Sequence, residues 1–369
     1  MNQKELFYLA GQCLALEEHI EFRETILFDF LSKKENLENF IFLCSNHLVL
    51  PVIYVKFKKY NLLEVFPSEF NQHLEEIYVL NKKRNFKIIQ QIDEISARLA
   101  KENIIPVYMK GTANLLDGVY SDYGERMMGD IDFLIPEKDY LKTAELIIKM
   151  GYKTQRANYY DVSTLKHYPR LFRADVPADV EIHRVPVNIK YSRQFTNEII
   201  FRNKKIISEK ENCFVPADKH KVIHSFIHSQ LSNSGHRFKQ TSLRDLYDLY
   251  LFSKRLNPAS LISEIEEKDK AISYFVLGGR ILNLKNRFYH TENKNAKRFC
   301  FFYDLSLTLK KTHRLYILMY KFFQLIFVYY LGRLIKAVYQ KSSREYIFNR
   351  LKDRNWYSRH FRGLRKFFS

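Results

Sequence analysis

Glycine, proline and cysteine are scarce in this 369-residue sequence, which contains 11, 9 and 4 of them. So few glycines and prolines exclude a collagen-like or low-complexity chain, and no Gly/Ser-rich or Pro-rich linker divides it. The cysteines show no CxxC or other metal-ligand spacing, so they are interpreted as reduced thiols. The N-terminus also lacks the apolar core and small-residue cleavage site of a secretion signal. We therefore expect a cytoplasmic protein.

Apolar and aromatic residues are abundant. Hydrophobic residues make up 46% of the chain, which includes 25 tyrosines and 30 phenylalanines. This composition is typical of a globular protein and excludes disorder. The length allows two or three domains.

Acidic residues are rare at the C-terminal end. The chain has a formal net charge of +19, and residues 281–369 hold 20 Lys and Arg against 4 Asp and Glu, a net of +16. The first 280 residues therefore carry only +3. A basic segment of this kind favours anionic partners.

Within this segment, residues 315–339 are strongly apolar but are interrupted by Lys321, Gln324 and Arg333. No uncharged run reaches the ~20 residues of a membrane span, so we expect a buried or interfacial helix. Three interpretations of residues 281–369 stay open. The first is that they bind an anionic membrane, which would place the protein peripherally on the inner face of the membrane. The second is that they bind RNA or DNA, and the third is that they pack on the core.

Four regions follow from the periodicity of apolar residues. Residues 1–101 are predicted to be helical, with breaks at Pro51 and Pro67. Residues 102–205 alternate between strands and helices, with strands expected at 104–110, 130–136 and 178–187. Residues 206–290 form a helical cap, and residues 291–369 are basic, aromatic-rich and helical.

An acidic pair lies in the second of these strands. Asp130 and Asp132 are two residues apart, so their side chains leave the same face of the strand and repel each other unless a cation lies between them. Mg²⁺ held by carboxylates and substrate phosphates satisfies this pattern. The third strand offers Asp179, Glu181 and His183 on one face.

Positively charged residues precede the acidic pair. Lys110 and Gly111 lie where a strand gives way to a helix, where a phosphate can approach the backbone. Arg126 can bind the same phosphates with a bidentate fork. In contrast, His224 and His228 have the i, i+4 spacing of a zinc helix but no third ligand, so zinc is not expected.

The order KG, RMMGDIDFLI and VEIH resembles the DNA polymerase β-like nucleotidyltransferase superfamily, and within it a bacterial family of uncharacterised nucleotidyltransferases. The resemblance is specific over residues 105–185 and fainter over 217–252. Its motif positions here are Lys110, Gly111, Tyr120, Arg126, Met128, Gly129, Asp130, Asp132, Gly151, Tyr152, His167, Glu181 and His183. Arg354, Asn355 and His360 also resemble a motif of small helical ribonuclease domains, which arises easily by chance in so basic a segment.

The resemblance implies an α+β fold with a small mixed sheet flanked by helical regions. It implies a Mg²⁺-dependent transfer of a nucleoside monophosphate from an NTP, with ATP favoured, to a hydroxyl acceptor. Asp130, Asp132 and Glu181 would be catalytic and would hold two Mg²⁺ ions, with Asp179 as the alternative third acid. The nucleotide-binding residues would be Lys110, Gly111, Thr112, Arg126 and Gly129.

Some questions stay open at this stage. Asp245 and Asp248 either position the base or helical cap, or are exposed helix residues. The acceptor is not identified. Two alternative functions are possible. The first is a catalytically inactive scaffold that binds nucleotide or associates with a membrane or nucleic acid, and the second is a toxin-type nucleotidyltransferase that acts on RNA.

Overall fold

The computed structural model describes the chain except residues 20–33, 155–161, 208–209, 211, 286, 290–292, 354–356, 359 and 363–369. Part of the predicted N-terminal helical region, and Arg354 and Asn355, lie outside the described residues. The chain divides into two compact units, Met1–Tyr303 and Asp304–Ser369.

A mixed seven-stranded sheet forms the centre of the first unit, in the order β3-β4-β5-β2-β1-β7-β6. β2 pairs in parallel with β5, and β1 in parallel with β7, while the other neighbours are antiparallel. The strands are β1 (Val107–Tyr108), β2 (Asp130–Leu134), β3 (Lys153–Thr154), β4 (Leu171–Phe172), β5 (Asp179–His183), β6 (Lys204–Ile206) and β7 (Phe214–Pro216).

Helices surround this sheet, and the predicted α+β class with helical flanks is confirmed. The helices of the first unit are α1 (Gln3–Leu14), α2 (Lys34–Asn46), α3 (Leu50–Lys59), α4 (Ser68–Ala100), α5 (Lys110–Leu116), α6 (Tyr140–Lys149), α7 (Asn197–Arg202), α8 (Asp218–Phe226), α9 (Gly235–Phe238), α10 (Leu243–Ser253) and α11 (Lys268–Ile281). The boundary between the units falls within α12 (Lys294–Thr308).

The three predicted strands correspond to β1, β2 and β5. β2 and β5 are five residues long and buried apart from their first residues. The other four strands were not predicted because each has only two or three residues, too few for an alternating pattern. Both prolines predicted as breaks lie at helix starts, Pro51 in the first turn of α3 and Pro67 before α4, where a missing N–H costs no hydrogen bond.

The long helix α4 holds the loops that lead into β2 and β5. The buried Asn85 amide donates a hydrogen bond to the Arg126 carbonyl at 2.7 Å. One turn and a half further on, the buried Gln91 amide donates to the Ala178 carbonyl, also at 2.7 Å. Because buried carbonyls need donors, these amides determine where the two central strands begin.

The described part of the second unit is helical. α13 (Lys310–Phe323), a π-helical stretch (Gln324–Leu331) and α14 (Gly332–Tyr339) form one continuous helix, followed by α15 (Lys341–Lys352). Among the described residues, the helix Lys310–Tyr339 alone is long and apolar enough to cross a membrane, judged by length and composition. Its most apolar window is 6% buried.

Gly11 allows α1 to pack against the end of α11. A Cβ at this position would lie 2.4 Å from the Ile281 carbonyl oxygen. We expect Gly11→Ala to lower the free energy of unfolding by about 2 kcal/mol, because the clash outweighs alanine's helix propensity of about 1 kcal/mol. Gly332→Ala, whose Cβ would meet its nearest neighbour at 3.5 Å, is the control. Urea denaturation followed by circular dichroism measures both, and equal effects would contradict the prediction.

Candidate active site

The acidic residues lie on two neighbouring parallel strands. In the register of β2 and β5, Asp130 is opposite Asp179 and Asp132 is opposite Glu181. Since side chains alternate along a strand, all four leave the same face of the sheet. Asp132 and Glu181 are largely buried, with side chains 5% and 11% exposed, whereas Asp179 is 42% exposed. The register therefore brings Glu181, rather than Asp179, beside Asp132.

His183 joins these two acids in a group that could hold a metal ion. The ligand atoms of Asp132, Glu181 and His183 all lie within 4.8 Å of one another. His183 Nε2 donates a hydrogen bond to Asp132 Oδ1 at 2.8 Å and lies 3.6 Å from Glu181 Oε2. Its Nδ1 is buried and has no hydrogen-bond partner among the described residues. Two carboxylates and an imidazole suit a divalent cation. The sequence placed His183 on this face but did not predict its contact with Asp132.

Lys110 neutralises the buried end of the acidic group. Its Nζ donates a hydrogen bond to Asp132 Oδ1 at 2.5 Å and lies 3.8 Å from Glu181 Oε2. Burial alone would lower the pKa of Lys110, but attraction to Asp132 and Glu181 raises it. Burial would likewise raise the pKa of Asp132, but Lys110 and His183 lower it. Lysine and aspartate therefore hold each other in the charged form.

Arg170, which no sequence pattern predicted as a site residue, neutralises the open end of the group. Its Nη2 donates hydrogen bonds to Asp130 Oδ2 and Glu181 Oε1, both at 2.9 Å. The Arg170 side chain is 53% exposed. It lies in an irregular stretch just before β4, where no motif or periodic pattern distinguishes it from other basic residues. Only its position in the fold marks it.

The pKa values of the other two acids diverge. Burial, together with repulsion from Asp132 and Glu181, raises the pKa of Asp130. Burial also acts to raise the pKa of Glu181, but the nearby His183 ring and the charge of Lys110 lower it to about 2. Asp130 is thus the acid that gains most from an added cation.

The first turn of α5 lies beside these acids. Lys110 has a φ of +53°, a left-handed conformation that non-glycine residues seldom adopt. A Cβ on Gly111 would lie 3.3 Å from Arg126 Nη2, so glycine permits this close approach. Thr112 is fully buried, and its Oγ1 accepts a hydrogen bond from the Asp132 backbone N–H at 3.2 Å. Thr112 thus joins α5 to β2.

Arg126 is buried and joins the loop before β2 to α10. Its Nε donates a hydrogen bond to the Tyr120 hydroxyl at 3.0 Å, and its Nη1 to the Met127 carbonyl at 2.8 Å. Nη2 pairs with Asp248 Oδ2 at 3.1 Å. Burial acts to lower the pKa of Arg126, but Asp248 raises it. Asp248 is therefore the buried counter-ion of Arg126.

A polar cavity of about 360 Å³ opens above the acids. Gly111 and Gly129 line it together with basic and acidic side chains. The basic ones are Lys110, Arg126, Arg170, Lys221 and Arg244, and the acidic ones are Asp130, Asp132, Glu181, Asp245 and Asp248. Arg244 Nε is buried and has no hydrogen-bond partner within the described part of the chain. Cations arranged around a carboxylate group give this cavity the charge pattern for a phosphorylated ligand with a divalent metal.

His224 and His228 also line the cavity. His224 Nε2 forms a hydrogen bond with the Pro186 carbonyl at 2.9 Å. Burial, helped by nearby positive charges, lowers the pKa of His228 to about 3 and lowers that of His224 as well. Both rings are therefore neutral. In the described residues, these histidines belong to no group that could hold a metal ion.

Comparison with known proteins identifies one family. The family model described as "Uncharacterised nucleotidyltransferase" matches residues 33–288, well over half of the chain. No curated protein matches the chain. The matched span contains every residue of the cavity lining and ends near the start of the basic C-terminal segment.

Replacing the two aspartates of β2 should have opposite effects on stability. We expect Asp132→Ala to lower the free energy of unfolding by about 3 kcal/mol, because Lys110 and His183 lose their shared buried acceptor. Asp130→Ala should be neutral or stabilising in the metal-free protein, since it removes a carboxylate that two others repel. Chemical denaturation in EDTA measures both. Equal destabilisation would show that the two carboxylates have similar surroundings.

Arg170 should compete with a divalent cation for the carboxylates. We expect Arg170→Gln to tighten Mg²⁺ or Mn²⁺ binding about two- to fivefold without nucleotide, because an exposed ion pair contributes up to about 1 kcal/mol. Isothermal titration calorimetry measures this affinity. Arg173→Gln, which removes an arginine paired with Glu94 and Asp175 instead, is the matched control and should leave metal affinity unchanged. Weaker metal binding in Arg170→Gln would contradict the assignment.

Proposed function

The chain belongs to the uncharacterised nucleotidyltransferase family, and we propose that it transfers a nucleoside monophosphate from an NTP to a hydroxyl acceptor in the cavity above β2 and β5. One observation carries the proposal. The parallel register of these strands puts Asp132 beside Glu181, with Lys110 within 4 Å of both. This is an arrangement of acids and a cation suited to metal-bound phosphates.

Asp130, Asp132 and Glu181 would hold Mg²⁺ ions, two in the full mechanism. The donor set fits, because Asp132 and Glu181 already offer oxygens within 4.8 Å of each other and carboxylate oxygen is the ligand that Mg²⁺ prefers. Bound Mg²⁺ supplies charge neutralisation at the phosphates. His183, through its hydrogen bond to Asp132, would fix the orientation of that carboxylate.

In the proposed reaction, the acceptor oxygen forms a bond to the α-phosphorus of the NTP. The bond from that phosphorus to the bridging oxygen breaks, and pyrophosphate leaves. The proton of the acceptor hydroxyl passes to Glu181, directly or through water. The pKa of Glu181 is lowered to about 2, so its carboxylate is ionised near neutral pH. So weak a base holds the proton only briefly and passes it on to water.

Basic residues around the cavity would hold the triphosphate. Lys110 and Arg170 already contact the carboxylates, and both can move onto phosphate oxygens once the acids bind metal. Arg126 is committed to Asp248, so its proposed contribution is the positive potential at Gly111. ATP stays the favoured NTP, while the acceptor class is open to a small molecule, a glycan precursor, a protein hydroxyl or an RNA end.

The direct test is labelling. The protein is incubated with each α-³²P-labelled NTP, Mg²⁺ and cell extract, and labelled products are separated by size and by RNase or protease sensitivity. The proposal expects one class of product to retain the label and pyrophosphate to be released in step. Tight NTP binding with no transfer in any extract would favour the inactive scaffold instead.

Glu181 and Asp179 form a matched pair of acids on the same strand. We expect Glu181→Gln to reduce the transfer rate about 100-fold or more, the size of effect that loss of a general base produces. Asp179→Asn should change the rate less than about threefold, because its side chain lies at the open edge of the cluster. Initial rates of pyrophosphate release compare the two. The reverse order would assign the third acid to Asp179.

A further inference from the structure

The long helix Lys310–Tyr339 presents its apolar side chains to the outside. Its exposed apolar residues include Leu315, Met319, Val328, Leu331, Leu334, Ile335 and Val338. Exposed phenylalanines accompany them, of which Phe327 is 54% exposed. An apolar surface of this extent is uncommon on a soluble monomer and marks a site of interaction.

Positive charge is concentrated in the same region. Residues 281–369 have a net charge of +16, and basic residues lie on both sides of the most apolar stretch. Lys310, Lys311, Arg314 and Lys321 precede it, and Arg333 and Lys336 follow it. The partner must therefore be negatively charged and also able to take up aliphatic side chains.

A second helix packs against this one as an antiparallel hairpin. The Arg333 guanidinium lies between the rings of Tyr329 and Tyr346, at 4.8 and 3.7 Å from their centroids. Arg350, further along α15, lies 4.4 Å from the Tyr346 ring and 3.3 Å from the Tyr329 hydroxyl. These contacts hold α14 and α15 together, so the apolar helix is presented as part of a packed unit.

The length of the apolar stretch indicates a position along the bilayer surface. The uncharged run 322–332 has 11 residues, about 16 Å of helix, whereas the hydrocarbon core of a bilayer is about 30 Å thick. A spanning orientation would bury Lys321 or Arg333. A helix lying in the interface keeps both at the level of the head groups.

We propose that the C-terminal unit binds the protein to an anionic lipid bilayer, with the helix Lys310–Tyr339 lying in the interface. Anionic lipid satisfies both observations, since head groups attract the lysines and arginines while the acyl boundary takes up the aliphatic side chains. Nucleic acid would account for the charge but not for the exposed leucines, isoleucines and valines. This binding is independent of the nucleotidyltransferase site.

The test is co-sedimentation of the full-length protein with vesicles. Vesicles of phosphatidylcholine containing about one third phosphatidylserine should bind at least about tenfold more tightly than phosphatidylcholine alone. Raising NaCl from 0.1 to 0.5 M should weaken binding without abolishing it, because inserted apolar side chains do not respond to salt. Equal binding to both vesicle types would overturn the proposal.

Charge reversal tests the electrostatic part. Lys310→Glu/Lys311→Glu should weaken binding at least about 25-fold, which is about fivefold for each lysine lost. Acidic residues in the first turn favour a helix, so this variant should keep its helicity by circular dichroism. Lys268→Glu/Lys270→Glu, in the first turn of α11, makes the same charge change in the first unit and should retain binding. Equal loss in both variants would overturn the assignment to the C-terminal unit.

Substitution of an exposed phenylalanine tests the apolar part. Phe327→Asp should remove the binding that remains in 0.5 M NaCl. Phe42→Asp, at a position on α2 that is more exposed than Phe327, should leave it unchanged. Competing RNA should displace little of the protein from vesicles. Displacement of most of it, RNA binding with no sedimentation, or self-association in place of vesicle binding would overturn the proposal.

Discussion

The buried carboxylate of Asp132 is the charge around which the rest of the site is arranged. A buried carboxylate is costly unless other groups compensate it, and residues of α5 and β5 do so here. Lys110 at the start of α5 and His183 in β5 both donate to the same oxygen, and Thr112 accepts from the Asp132 backbone. The start of α5 and the neighbouring strand β5 are thus both held by contacts to one residue, Asp132. The same contacts leave Asp130 and Glu181 facing the cavity.

Polar side chains on one face of α4 fix the positions at which β2 and β5 begin. Asn85 and Gln91 are fully or almost fully buried, and each donates to a carbonyl at the entrance to a central strand. Arg84 adds a hydrogen bond to the Pro177 carbonyl at 2.7 Å. Burying an amide side chain normally destabilises the packing of a helix. Here that cost is offset, because buried loop carbonyls without a hydrogen-bond donor would destabilise the protein more. Rigid entry points keep β2 and β5 in register, on which the placement of the acids depends.

The two units differ in their physical character. The family match ends at residue 288, and the excess positive charge begins at about the same position, since residues 1–280 carry +3 and the remainder +16. In the first unit, basic side chains such as Lys110, Arg126 and Arg170 are matched by carboxylates within 4 Å. In the second, acids are too few to match the basic residues, which therefore attract partners outside the chain.

Some features of this protein follow from local sequence patterns, and others depend on contacts between residues far apart in the chain. Sequence patterns predicted the helical flanks, the strands β1, β2 and β5, the shared face of Asp130 and Asp132, and the basic C-terminus, because each depends on residues close together in the chain. The folded chain alone shows Glu181 beside Asp132, Arg170 bridging two acids and Arg126 paired with Asp248. These contacts join residues 11 to 122 positions apart. Their geometry depends on strand register and helix packing, which the burial of the whole core selects and no local pattern encodes.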